Sequence, residues 1–94
     1  MIGETIKLLR NTYGINSQDL ALKIEISQSY MSEIENNKKI PKFEIIKKIS
    51  EIFKIKTSSL IYIDEKVEEA GENINFNEKI IIVINTLEKI KKGE

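Results

Sequence analysis

The sequence predicts an all-α protein, five short helices followed by a longer C-terminal one. Three observations predict it. Apolar residues recur at three- and four-residue spacings, and no stretch sustains the period-two alternation of a half-buried strand. Residues that start and stop helices flank the apolar runs. The single proline, Pro41, falls between two of those runs.

The first helix is expected over residues 3–13, where Ile2, Ile6, Leu9 and Tyr13 share one face and Gly14 supplies a C-cap. Asn16 is a good N-cap for the second, with acidic Asp19 three residues on. Leu20, Ala21 and Ile24 form its inner face. Ser27 is the next N-cap candidate, and it opens a third helix that buries Met31 and Ile34. Two short helices joined by so tight a turn describe a helix-turn-helix. Asn36, Asn37, Lys38 and Lys39 break the third helix. Ile45, Ile46, Ile49, Ile52 and Phe53 then give the clearest amphipathic pattern in the chain. Residues 57–59 cap a short fifth helix carrying Leu60, Ile61 and Ile63.

Acidic residues crowd the next stretch, so residues 64–75 read as a linker or a frayed helix end. Asn75 and Glu78 have capping-box spacing. A last helix follows over residues 76–92, with lysines and Gly93 at its end. The β-branched run at residues 80–84 would also suit a strand. The caps and the continuing Ile80, Ile84, Leu87 spacing favour helix.

Composition excludes much chemistry. The chain has 94 residues, 40% of them hydrophobic and 32% charged, with zero net charge. This suits one soluble globular domain with a short appendage. There is no Cys, hence no disulfide, thiolate nucleophile or zinc-thiolate site. There is no His, which removes the usual general base and the commonest transition-metal ligand. The four glycines form no phosphate-cradling loop. No enzyme, metal or cofactor is expected. The longest apolar run is five residues, far short of the ~20 that span a bilayer. Met1 opens directly into an amphipathic pattern without signal-peptide anatomy, which reads as cytoplasmic. Lysine supplies every positive charge but one, so Arg10 marks a place where a planar fork is wanted.

Residues 17–36 resemble the helix-turn-helix of the phage-repressor type, the Xre/Cro-like family. That motif wants Ala at its fifth position and apolar residues at its fourth, eighth, tenth, fifteenth and eighteenth. This chain supplies Ala21, then Leu20, Ile24, Ile26, Met31 and Ile34. The likeness extends to the opening Ile2-Gly3-Glu4-Thr5-Ile6-Lys7-Leu8-Leu9-Arg10, to Met31-Ser32-Glu33-Ile34-Glu35-Asn36, and to two further helices ending near residue 63. It implies a five-helix repressor-type domain over residues 1–63, the acidic linker at 64–75 and an appended helix at 76–92. Two departures stand out. Glu25 occupies a turn position where the family usually has Gly, at a cost of about 1 kcal/mol in the left-handed region. Ser17 stands where the family often has a phosphate-binding Gln, so Ser17 or neighbouring Gln18 takes that role.

The resemblance implies a DNA-binding transcriptional regulator that acts as a repressor on an inverted-repeat operator. The third helix would enter the major groove with its N-terminal residues at base edges. Gln28 is the best reader, since its amide can pair bidentately with adenine. Ser29 and Ser32 are secondary readers, and Glu33 is either an acceptor for cytosine or a solvated residue. Phosphate contacts are expected from Ser17, Gln18, Ser27, Asn36, Asn37, Lys38 and Lys39. Tyr30 reads equally as a phosphate donor and as a packing residue. The family pairs a first-helix Arg with a Glu near the end of the third, here Arg10 with Glu35. Charge is divided along the chain: residues 1–60 carry a net +3 and residues 61–94 a net −3. Seven lysines against two glutamates in residues 36–56 favour a polyanion.

One such domain reads few base pairs, so a homodimer on two half-sites is expected. Ile80, Ile81, Ile84, Leu87 and Ile90 are expected to bury against another subunit, with Val83 packing on the domain. The alternatives are a helix folded back on its own domain, or a helix that binds a different protein, as in an antitoxin-type autoregulator or an antagonist.

Overall fold

Local chemistry sets most of the helix boundaries in this computed structural model, which describes residues 1–93. The helices are α1 (Ile2–Thr12), α2 (Ser17–Lys23), α3 (Gln28–Glu35), α4 (Phe43–Ile52), α5 (Thr57–Glu69) and α6 (Phe76–Gly93). Among the described residues there is no strand. None of the helices is long and apolar enough to cross a membrane.

Side-chain caps start three helices. Asn16 Oδ1 accepts from the Asp19 amide at 2.7 Å, and Ser27 Oγ accepts from the Tyr30 amide at 3.0 Å. Asn75 and Glu78 cap α6 reciprocally: the Glu78 amide donates to Asn75 Oδ1 at 2.9 Å, and the Asn75 amide to Glu78 Oε1 at 3.3 Å.

The first four helices end in the same way. Each closes with a left-handed residue whose amide and successor's amide reach back to the last turn, the Schellman arrangement. The left-handed residues are Gly14, Glu25, Asn37 and Lys54, with φ of 69°, 61°, 59° and 57°. At α2, for example, the Glu25 amide donates to the Leu22 carbonyl and the Ile26 amide to that of Ala21, at 3.2 and 3.0 Å.

The core draws on every helix. Ile6, Leu8, Leu9, Leu20, Ile24, Met31, Ile34, Ile49, Leu60, Ile63 and Val83 are all fully or almost fully buried. Ala21, at 2% exposure, lets α2 and α3 cross closely. Polar groups inside this core find partners. Thr5 donates to Asp64 Oδ1 at 2.7 Å, tying α1 to α5. Ser50 and Thr86 donate to carbonyls one turn back in their own helices.

Two expectations need correction. The fifth helix is not short: residues 64–69, expected as linker, continue α5, and only residues 70–75 join it to α6. The reason is periodicity: Leu60, Ile63 and Val67 stay on the buried side while Glu65, Glu68 and Glu69 face solvent. Leu87 does not await another subunit. It is 6% exposed within the chain's own core, because α6 folds back on α1 and α5. Ile80 and Ile90 are half-buried against the same core, and Val83 is fully buried in it. Ile81 and Ile84 remain exposed.

Candidate nucleic-acid interface

The surface in question is built on α3. Its inner side is fixed by Met31 and Ile34, both fully buried, and by Glu35 at 7% exposure. Glu35 receives a two-armed grip from Arg10, Nε to Oε2 and Nη2 to Oε1, both at 2.8 Å. The third arm, Nη1, donates to the Ile15 carbonyl at 3.0 Å. One guanidinium therefore ties together α1, the α1–α2 turn and the end of α3, which a lysine could not do. The solitary Arg of the sequence is accounted for.

Fixing the inner side leaves the outer side of α3 polar and exposed. Gln28, Ser29 and Ser32 lie there. Gln28 Nε2 donates to Ser17 Oγ at 3.2 Å, so the first residues of α2 and α3 stand side by side. Gln18 is exposed beside them, and Ser17 is half-buried. Ser27 uses its oxygen as the cap of α3, and its hydroxyl hydrogen can still donate outward. Glu33 is half-buried. Tyr30 is half-buried and packs against the core, so its ring has the packing role, with or without a further role for its hydroxyl.

The segment after α3 is held rigidly. The Asn37 amide donates to the Ile34 carbonyl at 3.0 Å, and the Lys38 and Lys39 amides both donate to that of Glu33, at 2.8 and 3.2 Å. Asn36 Nδ2 donates to Ser32 Oγ at 3.3 Å. Four helix ends share this turn. The residue after the left-handed position is Ile15, Ile26 and Ile55 in three of them, each packed in or against the core. In the fourth it is Lys38, which is exposed. The same turn that elsewhere anchors an isoleucine here presents an ammonium beside the α3 surface.

Three features of this region escaped the sequence reading. Gly3 lies against the end of α3, where a Cβ would overlap the Ile34 carbonyl and meet the Asn37 side chain. A lone glycine in a helical pattern was the available signal. Leu22 is 78% exposed and borders a depression of about 360 Å³ with Gln18, Ala21, Ile26 and Gln28. Its signal was a leucine on the polar side of a short helix. Ile40 and Phe43 are exposed beyond Lys39, on either side of buried Pro41. Away from this surface, a hydrogen bond to Glu69 and that carboxylate's charge raise the pKa of Lys66 above its ordinary value. Among the described residues no group of three or more acidic side chains is placed to hold a metal ion.

A family model described as a helix-turn-helix domain matches residues 3–62. Two curated bacterial proteins are similar, both named HTH-type transcriptional regulator SinR. The one from Bacillus licheniformis is 30% identical over 73 residues, 77% of this chain and 66% of the relative. The one from Bacillus subtilis (strain 168) is 35% identical over 69 residues, 72% of this chain and 60% of the relative. The aligned part thus covers less than two thirds of either relative. No solved structure gives a significant match.

Proposed function

The chain belongs to the helix-turn-helix domain family, in its phage-repressor (Xre/Cro-like) branch, and from that membership we propose that it is a sequence-specific, double-stranded DNA-binding transcriptional regulator. It represses by occupying an inverted-repeat operator as a dimer. Its chemistry is binding, not catalysis.

The observation that carries this reading is the division of α3 into a fixed inner side and a free polar outer one. Met31, Ile34 and the Arg10–Glu35 grip hold the helix, and Gln28, Ser29 and Ser32 are left exposed. In the mechanism, α3 enters the major groove and Gln28 reads adenine through its amide, with Ser29 and Ser32 as secondary contacts. Ser17, Gln18 and the Ser27 hydroxyl meet the backbone on one flank. Asn36, Asn37, Lys38 and Lys39 meet it on the other. Backbone contacts set affinity and register, and base contacts set sequence. The Gln28–Ser17 hydrogen bond supports this arrangement, since it orients the reading amide from a residue that itself faces the backbone.

Dimerisation follows from the DNA. Half-sites repeat about every 34 Å along the duplex, and the folded chain, α6 included, measures 31 Å along each of its two longer axes. Two copies on successive turns are therefore near enough to touch. The exposed side of α6, with Phe76, Ile81 and Ile84 at 44%, 56% and 39% exposure, is the apolar surface proposed for that contact. The same exposed isoleucines favour a second reading, in which α6 binds a different protein, as in an antitoxin-type autoregulator or an antagonist's target.

Selection of bound sequences from a random duplex pool tests both. The expected result is an enriched inverted repeat. Gln28→Ala should relax one position per half-site, a loss of about 1–3 kcal/mol in discrimination. Ile81→Glu with Ile84→Glu should give a folded monomer, read by sedimentation, that selects a single half-site weakly. No enrichment by the folded chain would overturn the DNA reading and leave the partner-binding one.

A further inference from the structure

The first turn of α1 sits between the C-terminal helix and the end of α3. On one side, Gly3 packs so closely on the Ile34 carbonyl and the Asn37 side chain that no Cβ fits. On the other, Glu4 accepts from Lys79 Nζ of α6 at 2.9 Å, and the Lys79 side chain is only 15% exposed. Thr5, fully buried, donates to Asp64 of α5. Asn37 and Lys79 line the same depression, of about 250 Å³, with Glu4 also in its wall. One helical turn thus links α6 to the turn that presents Lys38 and Lys39. That turn depends on Asn37 holding a left-handed conformation, φ 59°.

We propose that Lys79 and Glu4 are positioning residues for DNA binding: their ion pair presses the first turn of α1 against Asn37 and so holds residues 36–39 in the shape that grips phosphate. The inference rests on the DNA-binding reading above. Neither residue touches DNA in it. Because the residues being positioned meet the backbone and not base edges, losing the pair weakens binding to every sequence alike and leaves base preference intact.

The sign of one substitution separates this from simple electrostatics. Glu4→Gln removes a negative charge from a DNA-binding domain. Through the field alone that change strengthens attraction to a polyanion. Through positioning it weakens binding.

The experiment measures affinity of the full chain for its enriched operator and for a random duplex, with amide hydrogen exchange at Lys38 and Lys39 recorded without DNA. Glu4→Gln and Lys79→Met should each lower both affinities by the same factor, roughly fivefold to tenfold, a typical coupling between sites. Exchange at Lys38 and Lys39 should quicken in both variants. The swap Glu4→Lys with Lys79→Glu should recover affinity and slow exchange again. Unchanged or tighter binding by Glu4→Gln overturns the proposal, as does a swap no better than the single variants. So does a loss fully explained by a larger unfolded fraction in a thermal melt. If the parent chain binds neither duplex, the DNA reading itself fails and this inference with it.

Discussion

Helices α1 to α5 and helix α6 share one apolar core but differ in what else holds them. The first five end four times in the same hydrogen-bonded turn and enclose the Arg10–Glu35 grip, whose side chains are 11% and 6% exposed. Helix α6 is the longest in the chain, yet it buries only Val83, Thr86 and Leu87. Towards its two ends it is fastened by polar contacts, Lys79 to Glu4 and Lys91 Nζ lying 5.9 Å from the centre of the Tyr13 ring. The difference teaches which part of the molecule is a scaffold and which is an attachment. Scaffold geometry is set by burial, which is insensitive to salt. An attachment that combines a few apolar anchors with charge contacts opens at lower free energy and can exchange one partner for another.

The largest expected effect lies in the scaffold. Glu35→Leu removes one member of a buried pair and strands the Arg10 charge, which should cost about 3–5 kcal/mol. The double variant Arg10→Met with Glu35→Leu should recover much of that loss, because it leaves no uncompensated charge. Urea denaturation of the three proteins decides it. If the double variant is as unstable as the single, the pair contributes through geometry at the end of α3 and not through charge compensation.

Next comes a direct test of the contrast. Ile34→Ala, in the scaffold, should cost about 2–5 kcal/mol, through lost burial and the cavity left among side chains from several helices. Val83→Ala, in α6, should cost about 2 kcal/mol or less. Amide exchange should differ in kind. Val83→Ala should quicken exchange in α6 and spare α2 and α3, whereas Ile34→Ala should quicken it throughout. Equal exchange in all helices of the Val83 variant would mean that α6 unfolds only with the rest, and the distinction between scaffold and attachment would fall.

The same contrast explains what the sequence made legible. The scaffold was readable because its signals are local and redundant. Asn16 and Ser27 cap where they stand, Gly14 closes α1, and Leu20, Ala21, Ile24, Met31 and Ile34 fall on the faces their spacing predicts. Even the left-handed Glu25 was expected from its place in the turn. Helix α6 was readable as a helix, down to the Asn75–Glu78 box, and Val83 as a residue it packs on the domain, but Leu87 was not readable as another. Residues 80–84 are apolar without interruption, so periodicity there has no polar face to exclude. Whether Leu87 meets its own domain or another is decided by α1 and α5, which are distant in sequence. The acidic stretch misled for a related reason. Density of charge at residues 64–69 suggested a linker, while the single Val67, one turn after Ile63, was enough to continue α5. For the candidate site, residue types were legible on α3. The Gly3 contact and the Lys79–Glu4 pair were not, since both join segments that no local pattern connects.

The smallest effect concerns strain within the scaffold. Three residues other than glycine hold positive φ there, Glu25, Asn37 and Lys54. A left-handed L-residue with a Cβ costs about 1–2 kcal/mol, and glycine at the same place gives back part of that gain through its freer unfolded chain, about 0.5–1 kcal/mol. Glu25→Gly should therefore stabilise the protein by a few tenths to about 1 kcal/mol, seen as a higher urea midpoint with an unchanged slope. Asn37→Gly should gain less, because asparagine already visits this region through local hydrogen bonding. It should also loosen residues 36–39, since the Asn37 side chain is one of the two groups Gly3 packs against. The pair of variants thus separates strain that is incidental from strain that shapes the proposed phosphate grip. Glu25→Gly should raise stability and, with one negative charge fewer, bind DNA at least as tightly as the parent, whereas Asn37→Gly should leave stability nearly unchanged while lowering affinity. If Asn37→Gly keeps the parent's affinity, the turn after α3 is only another helix end.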